Sequence, residues 1–194
     1  MARNRLDLYE TAEGVTCALL QEARYIRGTI LEPCAGPGRM ASVLRRHPGV
    51  ERVITADVDP QHPVDYVCDA TDSAAPVWAL DVDFVITNPP FSHAPLILPL
   101  AMQAAKIGVA FLLRVTYNEP VGNRAEWLQA NADHMRHHMP FGSPRPNFKV
   151  EGTDWATVSW FVWLKHWTWK GRGVHPPPFV FITDWNQNRE KARK

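Results

Sequence analysis

The tetrapeptide Asn88-Pro89-Pro90-Phe91 closes an apolar run, residues 82–86, that reads as a buried strand. Proline fixes φ near about −65°, has no N–H, and pushes the residue before it towards extended geometry. Two in succession make a rigid corner. Such a corner holds the Asn88 side-chain oxygen and the Pro89 carbonyl as fixed hydrogen-bond acceptors, with the Phe91 ring beside them. An amine attached to an aromatic ring fits there, one N–H on each acceptor and its ring against the phenylalanine. That amine is a poor nucleophile, because its lone pair is delocalised into the ring. Accepting both hydrogens favours a more pyramidal nitrogen, a stabilisation aimed at the transition state. Asparagine is no base, so the arrangement suits attack on an already activated electrophile such as a sulfonium methyl. A lone Asn-Pro pair is more often a strand-terminating turn. The company it keeps decides against that here.

The segment Thr29-Ile30-Leu31-Glu32-Pro33-Cys34-Ala35-Gly36-Pro37-Gly38 reads as a strand, a glycine loop, and then a helix over residues 39–46. Glycines at a helix start let backbone approach a ligand closely. Residues 53–57 form a second strand with Asp57 at its carboxyl end, the place that takes ribose hydroxyls in doubly wound folds. A third strand, residues 65–68, ends at Asp69, and the fourth ends at Asn88. Consecutive strand ends carrying polar residues are expected where a ligand crosses the carboxyl edge of an open α/β sheet. Gly36, Gly38 and Ala41 also match G-x-G-x-x-A, so a dinucleotide-dependent oxidoreductase is an alternative. The tetrapeptide at 88–91 and the acid Glu32 ahead of the loop argue against it. No Gly-Lys-Ser/Thr follows, which disfavours a P-loop hydrolase.

These residues together resemble the S-adenosylmethionine-dependent N6-adenine DNA methyltransferases, most closely the small phage-type ones. The resemblance spans residues 1–165 and includes the segments Arg145-Pro146-Asn147-Phe148 and Trp160-Phe161-Val162-Trp163. It implies S-adenosyl-L-methionine as cofactor, with Glu32, Ala35, Gly36 and Gly38 cradling it, Asp57 on its ribose, and Val58 and Asp69 on its adenine. Asn88, Pro89, Pro90 and Phe91 become the catalytic corner, with Asn88 also bordering the cofactor. Asp7-Leu8-Tyr9-Glu10-Thr11-Ala12 is similar to the family's amino-terminal motif, with Ala12 in place of its proline, making Tyr9 and Thr11 further cofactor contacts. The implied reaction is methyl transfer to the N6 amine of an adenine flipped out of DNA onto Phe91. The same corner serves adenine in RNA or a protein glutamine, although a glutamine enzyme usually carries Tyr at the position of Phe91. A cofactor-binding scaffold without catalysis is a further alternative.

Elements that would position these groups follow from the pattern. The sequence predicts a helix over 8–23, alternating strands and helices through 95–106, a fifth strand at 109–114 and a helix over 124–135. A strand at 156–165 is expected antiparallel to the fifth, as in this methyltransferase family. The fold class is therefore α/β: a Rossmann-like class I methyltransferase fold, a mostly parallel seven-stranded sheet with one antiparallel strand and helices on both faces. The 194 residues, 45% of them hydrophobic, suit one domain without a separate target-recognition domain, and residues 171–194 read as an irregular tail. Recognition loops are expected at 115–125 and 140–155.

A net charge of +1 hides a local excess: Arg114, Arg124, Arg136, Arg145 and Lys149 follow the corner, with Phe141, Phe148, Trp155, Trp160, Trp163, Trp167 and Trp169 interleaved. Cations beside stacking rings suit a splayed nucleic-acid strand, although alternation in 155–164 also fits a packed hairpin. Arg114, Arg145, Phe148 and Lys149 are the substrate-binding candidates, DNA being favoured over RNA. Cys17, Cys34 and Cys68 read as reduced core residues. His134 and His138 could share a helix face, but no metal site is expected. Neither a membrane span nor a signal segment is apparent, so a cytoplasmic protein is expected, monomeric or homodimeric.

Overall fold

A computed structural model describes residues 11–119, 121–143, 145–146 and 157–168. In chain order these form α1 (Glu13–Glu22), β1 (Gly28–Glu32), α2 (Arg39–Arg45), β2 (Val50–Asp57), β3 (Tyr66–Val67), β4 (Phe84–Thr87), α3 (Ala94–Ala104), β5 (Gly108–Arg114), α4 (Asn123–Asn131), β6 (Met135–Pro140) and β7 (Val158–Leu164). The strands make one seven-stranded sheet in the order β3-β2-β1-β4-β5-β7-β6. β7 runs antiparallel to both its neighbours, β5 and β6, while the pairs from β3 to β5 are parallel. Strand order reverses beside β1, so the loops after β1 and β4 leave the same edge and diverge, opening the crevice where α/β sheets take ligands.

Alternation along each central strand feeds two cores. Ala110 and Leu112 of β5 face α1 and α2, in a cluster with Leu19, Ile30, Leu44 and Trp160. Val109, Phe111 and Leu113 face the other way, towards Ile97, Leu98, Ala101 and Trp163. A strand buried on both faces needs apolar residues at both parities, and β5 has them. α3 carries Pro99 inside it, which removes one intrahelical donor. Burial of Ile97, Leu98, Ala101 and Met102 on the sheet carries the helix through that defect to Ala104.

Three sequence expectations need correction. The helix predicted over 124–135 ends at Asn131, and after a short 3-10 turn the chain becomes β6, so His134 and His138 do not share a helix face. Pairing with β7 decides this stretch, since residues 135–140 have no strong strand pattern of their own. Phe141, Trp160 and Trp163 are at most 2% exposed, which makes them core rather than stacking surfaces. Of the cysteines, Cys17 is exposed on α1, and Cys34 and Cys68 are half-buried. Residues 171–194 and most of the loop at 144–156 lie outside the described residues, as do Tyr9, Phe148, Lys149, Trp155 and Trp169.

Candidate active site at the carboxyl edge

Glu32 ends β1 and is 2% exposed. Burial pushes its carboxyl well above the ordinary glutamate range, against the pull of the Ala41 backbone N–H and the Arg45 charge. Asp57 adds a small like-charge push in the same upward direction. Glu32 Oε2 is buried with no hydrogen-bond partner among the described residues. A carboxylate oxygen left bare inside a protein costs free energy unless a ligand donor completes it.

The loop after β1 turns with Gly36 at φ 51° and Gly38 at φ 84°, left-handed backbone that glycine adopts without a steric penalty. Gly38 is the N-cap of α2, so the loop delivers backbone N–H groups to a helix start. Its shape is fixed from β2: Ala35 N donates to Ala56 O at 2.9 Å, and Gly36 N donates to Asp57 Oδ2 at 2.7 Å. Asp57 Oδ1 accepts from Asp59 N at 2.9 Å. Asp57 therefore braces the glycine loop, in addition to whatever hydroxyls it meets with its remaining lone pairs. Next to it Val58 is 52% exposed, an apolar side chain left open at this edge.

Asp69 follows β3. Its Oδ1 accepts from Thr71 N at 2.8 Å and from Thr71 Oγ1 at 2.7 Å. Those bonds hold its carboxyl below the usual range, with a smaller lowering from the His93 charge. His93 lies just past the Pro-Pro corner, at the start of α3.

At the end of β4, Asn88 is half-buried and its Nδ2 donates to Thr11 Oγ1 at 3.1 Å. Pro90 O accepts from His93 N at 2.9 Å and Ala94 N at 3.1 Å, so the corner runs directly into α3. Phe91 is half-buried, touching both cores, and the Arg114 guanidinium lies 5.1 Å from its ring centroid. Arg114 is itself exposed at the end of β5.

Thr11, Glu32, Ala35, Gly36, Gly38, Asp57, Val58, Asp69 and Asn88 to Phe91 thus all lie along the edge formed by β3, β2, β1 and β4. Arg114 joins them through Phe91, and Arg145 is exposed in the loop after β6. Sequence reasoning missed the Thr11–Asn88 bond and the Ala41 amide on Glu32. The third small residue of the loop motif was the available signal for the latter.

Thiol chemistry has no support at this edge. Burial raises Cys34 and Cys68 above the usual thiol range, with Asp57 next in effect on Cys34 and Asp69 next on Cys68, so both stay protonated near neutrality. Among the described residues no group of His, Cys, Asp and Glu could hold a metal ion, and no helix is long and apolar enough to cross a membrane.

No protein-family model and no curated protein matches the sequence. Solved structures do. A candidate RNA methyltransferase from Pyrococcus horikoshii is similar over 82% of this chain and 86% of its own, at 17% identity and a TM-score of 0.60. The type I restriction-modification methyltransferase subunit of Streptococcus thermophilus is similar over 91% of this chain, at 14% identity and a TM-score of 0.60. A candidate class I S-adenosylmethionine-dependent methyltransferase from Listeria monocytogenes is similar over 87%, at 15% identity and a TM-score of 0.56. The chain spans 62% of the Listeria protein's length and 47% of the Streptococcus subunit's. With strand order and direction, these similarities make the fold a Rossmann-like class I methyltransferase fold.

Proposed function

We propose that this protein transfers a methyl group from S-adenosyl-L-methionine to the N6 amine of adenine in DNA. The observation that carries the reading is the Asn88-Pro89-Pro90-Phe91 corner, set at the same sheet edge as the bare buried oxygen of Glu32.

The residues at that edge fit the cofactor. Glu32 Oε2 is a buried acceptor that an ammonium group would complete. Asp57 retains lone pairs for the ribose hydroxyls, Val58 offers an apolar face to the adenine, and Asp69 keeps Oδ2 for its amine. Gly36 and Gly38 leave room for backbone to approach. When bound, S-adenosylmethionine supplies a sulfonium methyl, an electrophile that needs no further activation.

The chain's own part is positioning. Asn88 Oδ1 and Pro89 O accept the two N–H groups of the target amine, which localises its lone pair on nitrogen. That pair would take the sulfonium methyl, forming N–C while the C–S electrons stay with sulfur. The surplus proton on nitrogen then passes to water, so no strong base is required at the corner. Phe91 stacks the base, a contact worth about 1 to 3 kcal/mol. Arg114, exposed and within cation–π distance of that ring, brings a positive charge to where the flanking phosphates of a flipped nucleotide would lie.

Tritiated-methyl transfer from S-adenosylmethionine to duplex DNA, single-stranded DNA, total RNA and protein, run side by side, tests the reading. Label in DNA on N6-methyladenine is expected. Label confined to RNA would move the substrate to structured RNA adenine, label confined to protein would move it to glutamine, and no label in any arm would end the methyltransferase reading.

A further inference from the structure

Asn88 can present either edge of its amide to a ligand, because a half-turn about the terminal torsion exchanges oxygen and nitrogen at nearly equal volume. Only one orientation suits an amine: Oδ1 forward. Thr11 meets the amide on its other edge. Its hydroxyl lies 3.1 Å from Asn88 Nδ2, across 77 residues of sequence. Thr11 is 6% exposed and lies one residue before the N-cap of α1, Ala12, and α1 is itself fixed to the sheet by Trp160 Nε1 donating to Val15 O at 2.8 Å. The acceptor for the Asn88 amide is therefore held by packed structure and not by a loose side chain.

We propose that Thr11 is a positioning residue, which anchors the Asn88 amide by one edge and so holds its other edge, Oδ1 in the reacting complex, against the target amine. This rests on the amine-methylation reading and gives Thr11 a role other than direct contact with the cofactor. A hydroxyl can donate as well as accept, so the bond alone tolerates both orientations. The amine removes the ambiguity. With N–H donors arriving at the forward edge, a reversed amide would set donor against donor, while the orientation seen satisfies both edges at once. The cost of losing Thr11 is then paid mostly in the reacting complex.

Thr11→Val removes the hydroxyl at constant shape, and Thr11→Ser keeps it. In Thr11→Val, kcat should fall about tenfold or more, the loss of one hydrogen bond to a reacting group, while S-adenosylmethionine affinity by calorimetry stays within about twofold. Thr11→Ser should recover most of the turnover. A second readout needs no turnover: the Asn88 side-chain amide signals in an NMR spectrum, assigned by their loss in Asn88→Asp, should move and exchange faster with water in Thr11→Val and not in Thr11→Ser. Should Thr11→Val fold poorly, Thr11→Ala takes its place. Weaker cofactor binding with unchanged kcat at saturation would return Thr11 to the cofactor and overturn the proposal. So would unmoved Asn88 signals or wild-type turnover in Thr11→Val. A wild-type protein that methylates no amine fails the reading beneath, a result separate from any of these.

Discussion

From β3 to β4 the strands finish in polar groups, whereas the half of the sheet from β5 to β6 is filled with rings. In the first half Glu32, Asp57, Asp69 and Asn88 stand at successive strand ends, one of them with a buried oxygen left bare. In the second half Phe111, Trp160, Phe161 and Trp163 are fully buried, with Phe161 stacked on Trp163 at 5.8 Å and on His138 at 4.4 Å. One half brings polar groups to the carboxyl edge of the sheet, where a ligand can use them. The other packs apolar area on both faces of the sheet and keeps the first half in place. Arg114 lies at the seam, on β5 but over Phe91. Substitutions in the two halves should therefore separate: stability losses on one side, binding and turnover losses on the other.

The largest expected effect is structural. Trp163→Ala empties a fully buried site against Phe161 and Trp127 and should cost about 3 to 5 kcal/mol, lowering the melting temperature on the order of 10 °C. Cofactor affinity of the remaining folded protein should stay near wild type. A Trp163→Ala protein that melts normally but binds poorly would reverse the division.

Glu32→Gln sharpens it from the other side. Loss of a charge-assisted bond to an ammonium should weaken S-adenosylmethionine by roughly 1.5 to 3 kcal/mol, about ten- to a hundredfold, by calorimetry. Thermal stability of the free protein should not fall, because glutamine matches the neutral form that burial already favours at this site. The wild-type carboxyl, raised by burial, must release its proton to pair with a cation. Cofactor affinity should accordingly rise with pH through that raised value, and Glu32→Gln should flatten the slope.

Phe91→Ala should cost about 1 to 3 kcal/mol of substrate affinity, seen as a raised KM that high nucleic-acid concentration partly overcomes. Phe91→Trp should keep activity. A defect of Phe91→Ala confined to kcat would remove the stacking role.

The smallest effect is a pH dependence in the aromatic half. Burial pushes His137 down to about 4, with the Arg136 charge acting the same way, while its ring stacks on Tyr25 at 5.8 Å. The unfolded chain binds this proton near the ordinary histidine value and the folded one does not. The contribution is therefore present above that value and is lost as pH falls towards about 4. Discounted for partial exposure, it is on the order of 1 to 2 kcal/mol. In melts across this window His137→Phe should lose stability less steeply than wild type, with a residual slope from His138, which burial also lowers.

Legibility in the sequence followed the same division. Strand ends were readable because prolines, glycines and short acids act through local backbone geometry: Pro89 and Pro90 stop β4, and Gly36 and Gly38 turn the loop whatever packs around them. β6 was not, because Met135 to Pro140 becomes a strand only through its pairing with β7. The tryptophans of β7 carry no local mark that separates a stacking platform from a core, and burial alone decides it. Nor does any local signal join Thr11 to Asn88, or show that Asp57 braces the loop it also serves.

Asn88→Ala, assayed beside wild type for methyl transfer and for S-adenosylmethionine affinity on the same preparation, tests the central claim most directly. A corner that acts on the target amine predicts a fall in kcat of about a hundredfold or more, in the range for removal of one preorganised transition-state contact, with cofactor affinity nearly unchanged. Near-normal turnover in Asn88→Ala would contradict it and leave Asn88-Pro89-Pro90-Phe91 as a strand terminator alone.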